Sequence, residues 1–294
     1  MSEKMKDGEK NYFIPFYLTI SFGILIAFFI VPIVLSIYFS FTNTSLYNLH
    51  NYKFIGFSNY ESLFVSKSFY HSIIITLIFL VLSAIIGQAF LGLVLAVVLD
   101  TLNRVFKGVV VTSILLAWAT PQVTGGILWS STLSGTPPGV VPLLMSWLGL
   151  HPVNFLGIHY ALFSVVISNI WLGLAFSLLI FLAGMQSINP SIVKASIIDG
   201  AGPLRRFFAI TIPLLKNSIL MDLIMITLFT FGTFTMVYTL TGGGPSSSTE
   251  ILTVYQYYTA FSFFDIGLGS AIGVVIILLA VILSAIYLRL VKVG

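Results

Sequence analysis

Residues Ser72–Leu99 read SIIITLIFLVLSAIIGQAFLGLVLAVVL, 28 positions without one Asp, Glu, Lys or Arg. A helix needs about 20 predominantly apolar residues to cross the hydrocarbon core of a bilayer. Lipid offers no partner for backbone N–H and C=O groups, so a spanning segment must bond them internally, as a helix or within a closed barrel. Barrel strands alternate lipid-facing and lumen-facing residues over about ten positions. This run does not alternate and is far too long for one. It reads as a transmembrane helix.

Five further stretches of the same kind run approximately from Phe16 to Phe41, Gly108 to Leu133, Tyr160 to Gly184, Ile219 to Thr241 and Ile266 to Leu290. The expected fold is therefore all-α and polytopic, with six transmembrane helices in a single domain over residues 1–294. Composition agrees: 58% of residues are hydrophobic and 7% charged, where soluble domains carry roughly 25% charged residues. The first stretch follows Lys4, Lys6 and Lys10, as a signal peptide would. It is too long for a signal h-region and no small-residue cleavage site closes it, so it reads as a retained helix. The absence of cysteine excludes disulfides and thiolate metal sites.

The net charge of +4 comes from basic residues scattered among loops, with no basic face of the kind that binds nucleic acid. Cytoplasmic loops retain Lys and Arg. One set of alternate segments holds Lys4, Lys6, Lys10, Arg104, Lys107, Lys194, Arg205, Arg206, Lys216, Arg289 and Lys292, whereas the other holds only Lys53 and Lys67. Both termini are expected in the cytoplasm of a multi-pass cell-membrane protein. The external connections, Thr42–His71, Ser134–His159 and Gly242–Asp265, are too short to fold as domains, so any capture of a molecule from dilute solution is expected to need a separate protein.

The segment 185–216 is the longest on the cytoplasmic side. Asn189-Pro190-Ser191 suits a helix start, and Gly200 with Gly202-Pro203 ends one short helix and begins another. Within it, Lys194-Ala195-Ser196-Ile197-Ile198-Asp199-Gly200-Ala201 continues through Phe207 and Ile210 to Pro213. This run resembles the EAA loop of ABC importer permeases, matching at Ala195, Asp199, Gly200, Ala201, Phe207, Ile210 and Pro213. It departs from that pattern at Lys194, Ser196 and Ile212. Phe54–Tyr60, Leu182–Gln186 with Ile188 and Pro190, and Thr241–Pro245 followed by Thr249, Leu252, Tyr255, Tyr257, Ala260 and Phe261 extend the resemblance over most of the chain. It is similar to the binding-protein-dependent sugar branch of that family, the maltose and multiple-sugar type.

That resemblance implies a permease subunit that moves a mono- or oligosaccharide delivered by an extracytoplasmic solute-binding protein. It also implies a second related permease subunit and two cytoplasmic ATPase subunits that hold the ATP and Mg; this chain would bind no cofactor or metal. The 185–216 loop would form a coupling helix on the ATPase, with Lys194, Ala195, Ser196, Asp199, Gly200, Ala201, Arg205 and Phe207 as the contact set. Gly242, Gly243, Gly244 and Pro245 would touch the binding protein, although glycine and proline also mark any turn.

Gln88, Gln122, Thr124, Trp129, Asn169, Trp171 and Tyr238 lie in or near spans and are candidates for the sugar path, since ligand sites pair a few polar anchors with apolar walls. An interhelical hydrogen bond looks the same in sequence, and packing comes first for each. Packing is also expected of Gly269 and Gly273, and His50, His71, His151 and His159 carry no metal-ligand spacing. An ion-coupled secondary transporter is the alternative, but it places ionisable residues at mid-membrane, and here Asp100 and Asp222 fall near span ends. There is no zinc-protease, nucleophile-elbow or Walker A motif, so the chain is expected to be neither an enzyme nor its own ATPase.

Overall fold

The computed structural model describes residues 13–290, and among them every regular element is helical. Lys4, Lys6, Lys10 and Lys292 lie outside these residues. Helix α1 covers 13–39, α2 Ser58–Val65, α3 Lys67–Thr101, α4 Arg104–Trp118, α5 Gln122–Leu133, α6 Val140–Trp147 and α7 Ala161–Gln186. After it come α8 Pro190–Ile198, α9 Pro203–Leu214, α10 Lys216–Phe231, α11 Thr235–Thr241, α12 over 252–262 and α13 Ile266–Leu290.

Among the described residues, four helices, α1, α3, α7 and α13, are each long and apolar enough to cross a bilayer, and the total is up to six where each of two bent pairs, α4–α5 and α9–α10, counts as one span. The stretch expected as a single span over Gly108–Leu133 is α4 and α5, bent by 100°. Pro121 explains the break: it lacks an N–H for α4 to bond, and its ring disfavours helical geometry at Thr120. The fifth expected span is likewise interrupted at 232–234, where α10 stops at Gly232 and α11 starts at Thr235. Upstream, α9 meets α10 at a 71° bend.

The bundle is organised around α3 and α7. Helix α4 also packs on α7, α10 packs on α3, α7 and α13, and α5 packs on α11. Lipid tails are as apolar as Leu, so close packing rather than burial from water holds such helices together. Small residues permit it: a Cβ on Gly92 of α3 would stand 2.8 Å from the Ser177 Cβ of α7, and one on Gly126 of α5 would stand 2.7 Å from Thr239 Cβ. In α13, a Cβ on Gly269 would meet Ala260 and one on Gly273 would meet Gln256, both in α12. Packing accounts for both positions. No residue of the apolar window of α1 is buried, and that helix touches the bundle chiefly through its second half, against α13.

The setting of one acidic residue near a span end goes beyond what the sequence showed. Asp222, read as lying near a span end, is fully buried on α10 beside Ser177 of α7, and neither its carboxylate oxygens nor the Ser177 hydroxyl has a well-formed hydrogen bond.

Candidate functional site

A cavity of about 420 Å³ opens at mid-bundle, between α3, α7 and the two helix breaks. The breaks supply much of its wall: Trp118, Thr120 and Gln122 from the α4–α5 corner, and Thr230, Gly232 and Thr233 from the α10–α11 gap. Gln88 of α3 and Asn169, Leu172, Gly173 and Phe176 of α7 close the opposite side. The first N–H groups and last C=O groups of a helix have no intrahelical partner. The start of α5 therefore brings N–H groups to the cavity, whereas the last carbonyls of α10 are taken up within the break, Leu228 by Gly232 N, Phe229 by the Thr233 hydroxyl and Thr230 by Thr233 N.

Three expected path residues, Gln88, Gln122 and Asn169, meet on this wall. Two of them also bind helices together. Asn169 Nδ2 donates to Ser83 Oγ at 2.9 Å, and Gln88 Nε2 donates to the Asn169 carbonyl at 3.4 Å. The Gln88 amide occupies the space that a Cβ on Gly173 would need, so any side chain at 173 must displace that amide from its bond to Asn169. Both Ser83 and Gln88 lie in the stretch Leu80–Phe90, where α3 widens into π-helical turns, a distortion common at functional sites. Thr230 and Thr233 are buried; Thr233 is held by its own hydroxyl on the Phe229 carbonyl at 3.0 Å and by the Thr253 hydroxyl on its carbonyl at 2.6 Å.

The other four path candidates lie elsewhere. Trp129 and Trp171 pack edge to face with ring centroids 6.0 Å apart. Tyr238 sits against Phe234 and Tyr257, each with a centroid separation of 5.0 Å. Thr124 is exposed on α5. Sequence reasoning missed Trp118, Thr120, Phe176, Phe229, Thr230 and Thr233, which all line the cavity. For Thr120 a signal was present in Pro121. For the others none was, because a threonine or phenylalanine in an apolar helix carries no mark of what it faces.

In the 185–216 loop, α8 begins at Pro190 with the Asn189 side chain accepting from Ser191 N at 3.0 Å. It ends with Ala201 N donating to Ser196 O at 2.9 Å and Gly200 N to Ile197 O at 3.1 Å, while Gly200 adopts φ +75°. This is a Schellman cap, whose left-handed residue is ordinarily glycine. Lys194, Ala195, Asp199, Gly200 and Arg205 are exposed, Ala201 and Phe207 are half-buried, and Ser196 is buried with its hydroxyl on the Val193 carbonyl. Ile198 and Leu204 are 85% and 76% exposed, two large apolar side chains left uncovered on this loop.

The 242–245 turn is ordered from below. Gly242 and Gly243 take φ +59° and +83°, the Tyr258 hydroxyl donates to the Gly242 carbonyl at 2.8 Å, and the Thr249 hydroxyl donates to the Gly244 carbonyl at 2.9 Å. Gly243 is buried, leaving Pro245 and Ser246 as the exposed tip.

Known proteins share this architecture and much of this sequence. The sulfoquinovosyl glycerol transport system permease protein SmoG of Agrobacterium fabrum is 36% identical over 92% of this chain and 87% of that protein. The trehalose/maltose transport system permease protein MalF of Thermococcus litoralis is 33% identical over 80% of this chain and 79% of its own length. A chain of a bacterial ABC transporter involved in the import of the acidic polysaccharide alginate superposes with a TM-score of 0.80 at 22% identity, covering 96% of this chain and 95% of that one. The family model for the binding-protein-dependent transport system inner membrane component matches residues 88–292. With the bent spans, the mid-bundle cavity and the capped surface loop, that match makes this chain a member of the binding-protein-dependent transport system inner membrane component family.

Proposed function

We propose that the chain is one permease subunit of an ATP-driven importer and that its mid-bundle cavity carries a neutral sugar. The cavity wall is the observation that carries this reading: it offers amides, threonine hydroxyls, helix ends and the rings of Trp118, Phe176 and Phe229, with no charged side chain among them. Hydroxyl-rich solutes use such donors and acceptors with apolar contact to ring faces, while phosphate or sulfonate calls for Arg or Lys. Trp118 and Phe229 are half exposed, so the cavity is open on one flank, which a second permease subunit closes. A separate solute-binding protein delivers the sugar to the face that carries the 242–245 turn.

The basic residues set the orientation. Arg104, Lys107, Lys194, Arg205, Arg206, Lys216 and Arg289 lie on the α8 side of alternating spans and Lys53 and Lys67 on the other, so α8, α9 and both termini face the cytoplasm. There α8 docks on an ATPase subunit that binds and hydrolyses ATP with Mg. Closure of that ATPase moves α8, and α7 and α10 transmit the movement to the cavity.

The test is purification from native membranes in mild detergent, followed by ATPase and uptake assays with candidate sugars and binding protein. An ATPase that co-purifies and is stimulated by loaded binding protein is expected, with neutral sugars outcompeting phosphorylated or sulfonated analogues. Uptake by the chain alone, driven by an ion gradient without ATP, would overturn the reading in favour of a secondary transporter.

A further inference from the structure

A groove of about 460 Å³ separates α4 from α7, away from the solute cavity. Its upper end carries Arg104, Lys107 and the Gln186 amide; below these the wall is apolar, formed by Val111, Leu179 and Leu182. Gly108 lies between the two ends, and a Cβ built on it would meet nothing within 4 Å. The space beside it is open.

We propose that this groove binds an anionic glycerophospholipid, with its phosphate at Arg104 and Lys107 and one acyl chain along the apolar wall. The charge balance fits a single phosphodiester. Lys107 Nζ lies 3.5 Å from Asp100 Oδ1, and both groups are partly solvated. Two cations less one carboxylate leave +1 at the mouth of the groove. A free phosphate would satisfy the cations but leave the apolar wall uncovered, and a neutral lipid would leave the charge unmatched. Basic residues at a helix end beside the bilayer surface attract anionic headgroups in this way.

The position gives the lipid a lever. Arg104 and Lys107 begin α4, whose other end turns into the cavity corner at Thr120. Leu179 and Leu182 sit near the end of α7, just before the α8 loop. A bound lipid therefore joins the helix that walls the solute cavity to the helix that leads into the docking loop.

The test uses the assembled transporter. A photoactivatable phosphatidylglycerol is reconstituted with the wild type in phosphatidylcholine vesicles, and labelled peptides are mapped. Label concentrated within 104–111 and 179–186, competed by unlabelled phosphatidylglycerol but not by phosphatidylcholine, is expected. In parallel, native mass spectrometry follows phosphatidylglycerol retained by the wild type, by the Arg104→Gln/Lys107→Gln double variant and by Gly108→Leu, which fills the groove. Both variants are expected to lose retained lipid by about tenfold or more. Label spread evenly over the lipid-facing helices, or equal retention by correctly assembled variants, would overturn the site. So would efficient cross-linking of a Gly108→Cys variant to another subunit in native membranes, because protein would then cover the groove. None of these readouts depends on which solute is carried.

Discussion

Gly200 shows how one backbone angle constrains function. Its φ of +75° costs an L-residue about 1–2 kcal/mol, and the Schellman cap built on it ends α8 and starts the turn into α9. Gly200→Val is expected to leave the protein in the membrane while ATP hydrolysis no longer drives uptake; Gly200→Asn, which tolerates this angle better, should retain a substantial fraction of coupling. Parallel uptake and ATPase assays in proteoliposomes check both. Gly173 is constrained by space instead. The Gln88 amide fills the position of its Cβ, so Gly173→Leu should lower the thermal stability of the purified complex by an overpacking cost of about 1–3 kcal/mol and abolish uptake. Asp222 is buried without a well-formed hydrogen bond. An unpaired buried polar group costs about 1–3 kcal/mol, and a charged one more, so Asp222→Asn should melt at or above the wild-type temperature. A lower melting temperature would mean that the carboxylate has a partner in the assembled transporter. The Asp-Gly turn at 199–200 was legible because its signature is local. The burial of Asp222 was not, since the chain nearby shows only an acidic residue close to the end of an apolar run.

Helices are the scale at which the chain departs most from a row of straight spans. The α4–α5 corner bends by 100°, and the α10–α11 gap lies across the cavity from Gln88 and Asn169. Broken helices expose backbone donors and acceptors at membrane depth only where they line a protected cavity. Replacing Pro121 with Ala restores the missing N–H and removes the steric bar to helix at Thr120, so α4 can extend toward α5. Pro121→Ala is expected to raise the KM for uptake by roughly tenfold, the loss of a net hydrogen bond or so of binding energy. Protein level in the membrane should stay unchanged, and uptake kinetics with a quantitative blot separate the two. Pro121 itself was visible in the sequence. Hydropathy averages over such a break, because the residues on both sides remain apolar.

At the scale of the whole molecule, apolar surface remains that lipid cannot cover. Ile198 and Leu204 stand 85% and 76% exposed on the α8–α9 loop, next to Lys194, Asp199 and Arg205. An apolar centre with a charged rim is the composition of a protein interface. Ile198→Asp with Leu204→Asp is expected to weaken ATPase docking by about tenfold or more, as loss of central anchors does, and the ATPase should then be missing from pull-downs of a chain that still inserts normally. The sequence by itself determined the membrane class, the helical architecture and the capped helix at 190–201, because apolar run length and an ordered local motif are properties of contiguous residues. Only the tertiary structure decided that Gln88, Gln122 and Asn169 share a cavity with Thr230 and Thr233 while Trp129, Trp171 and Tyr238 pack elsewhere. Which way a side chain faces in a lipid-soluble helix depends on contacts with residues far away in the chain. In a segment that is apolar on every side, no hydrophobic periodicity reports them.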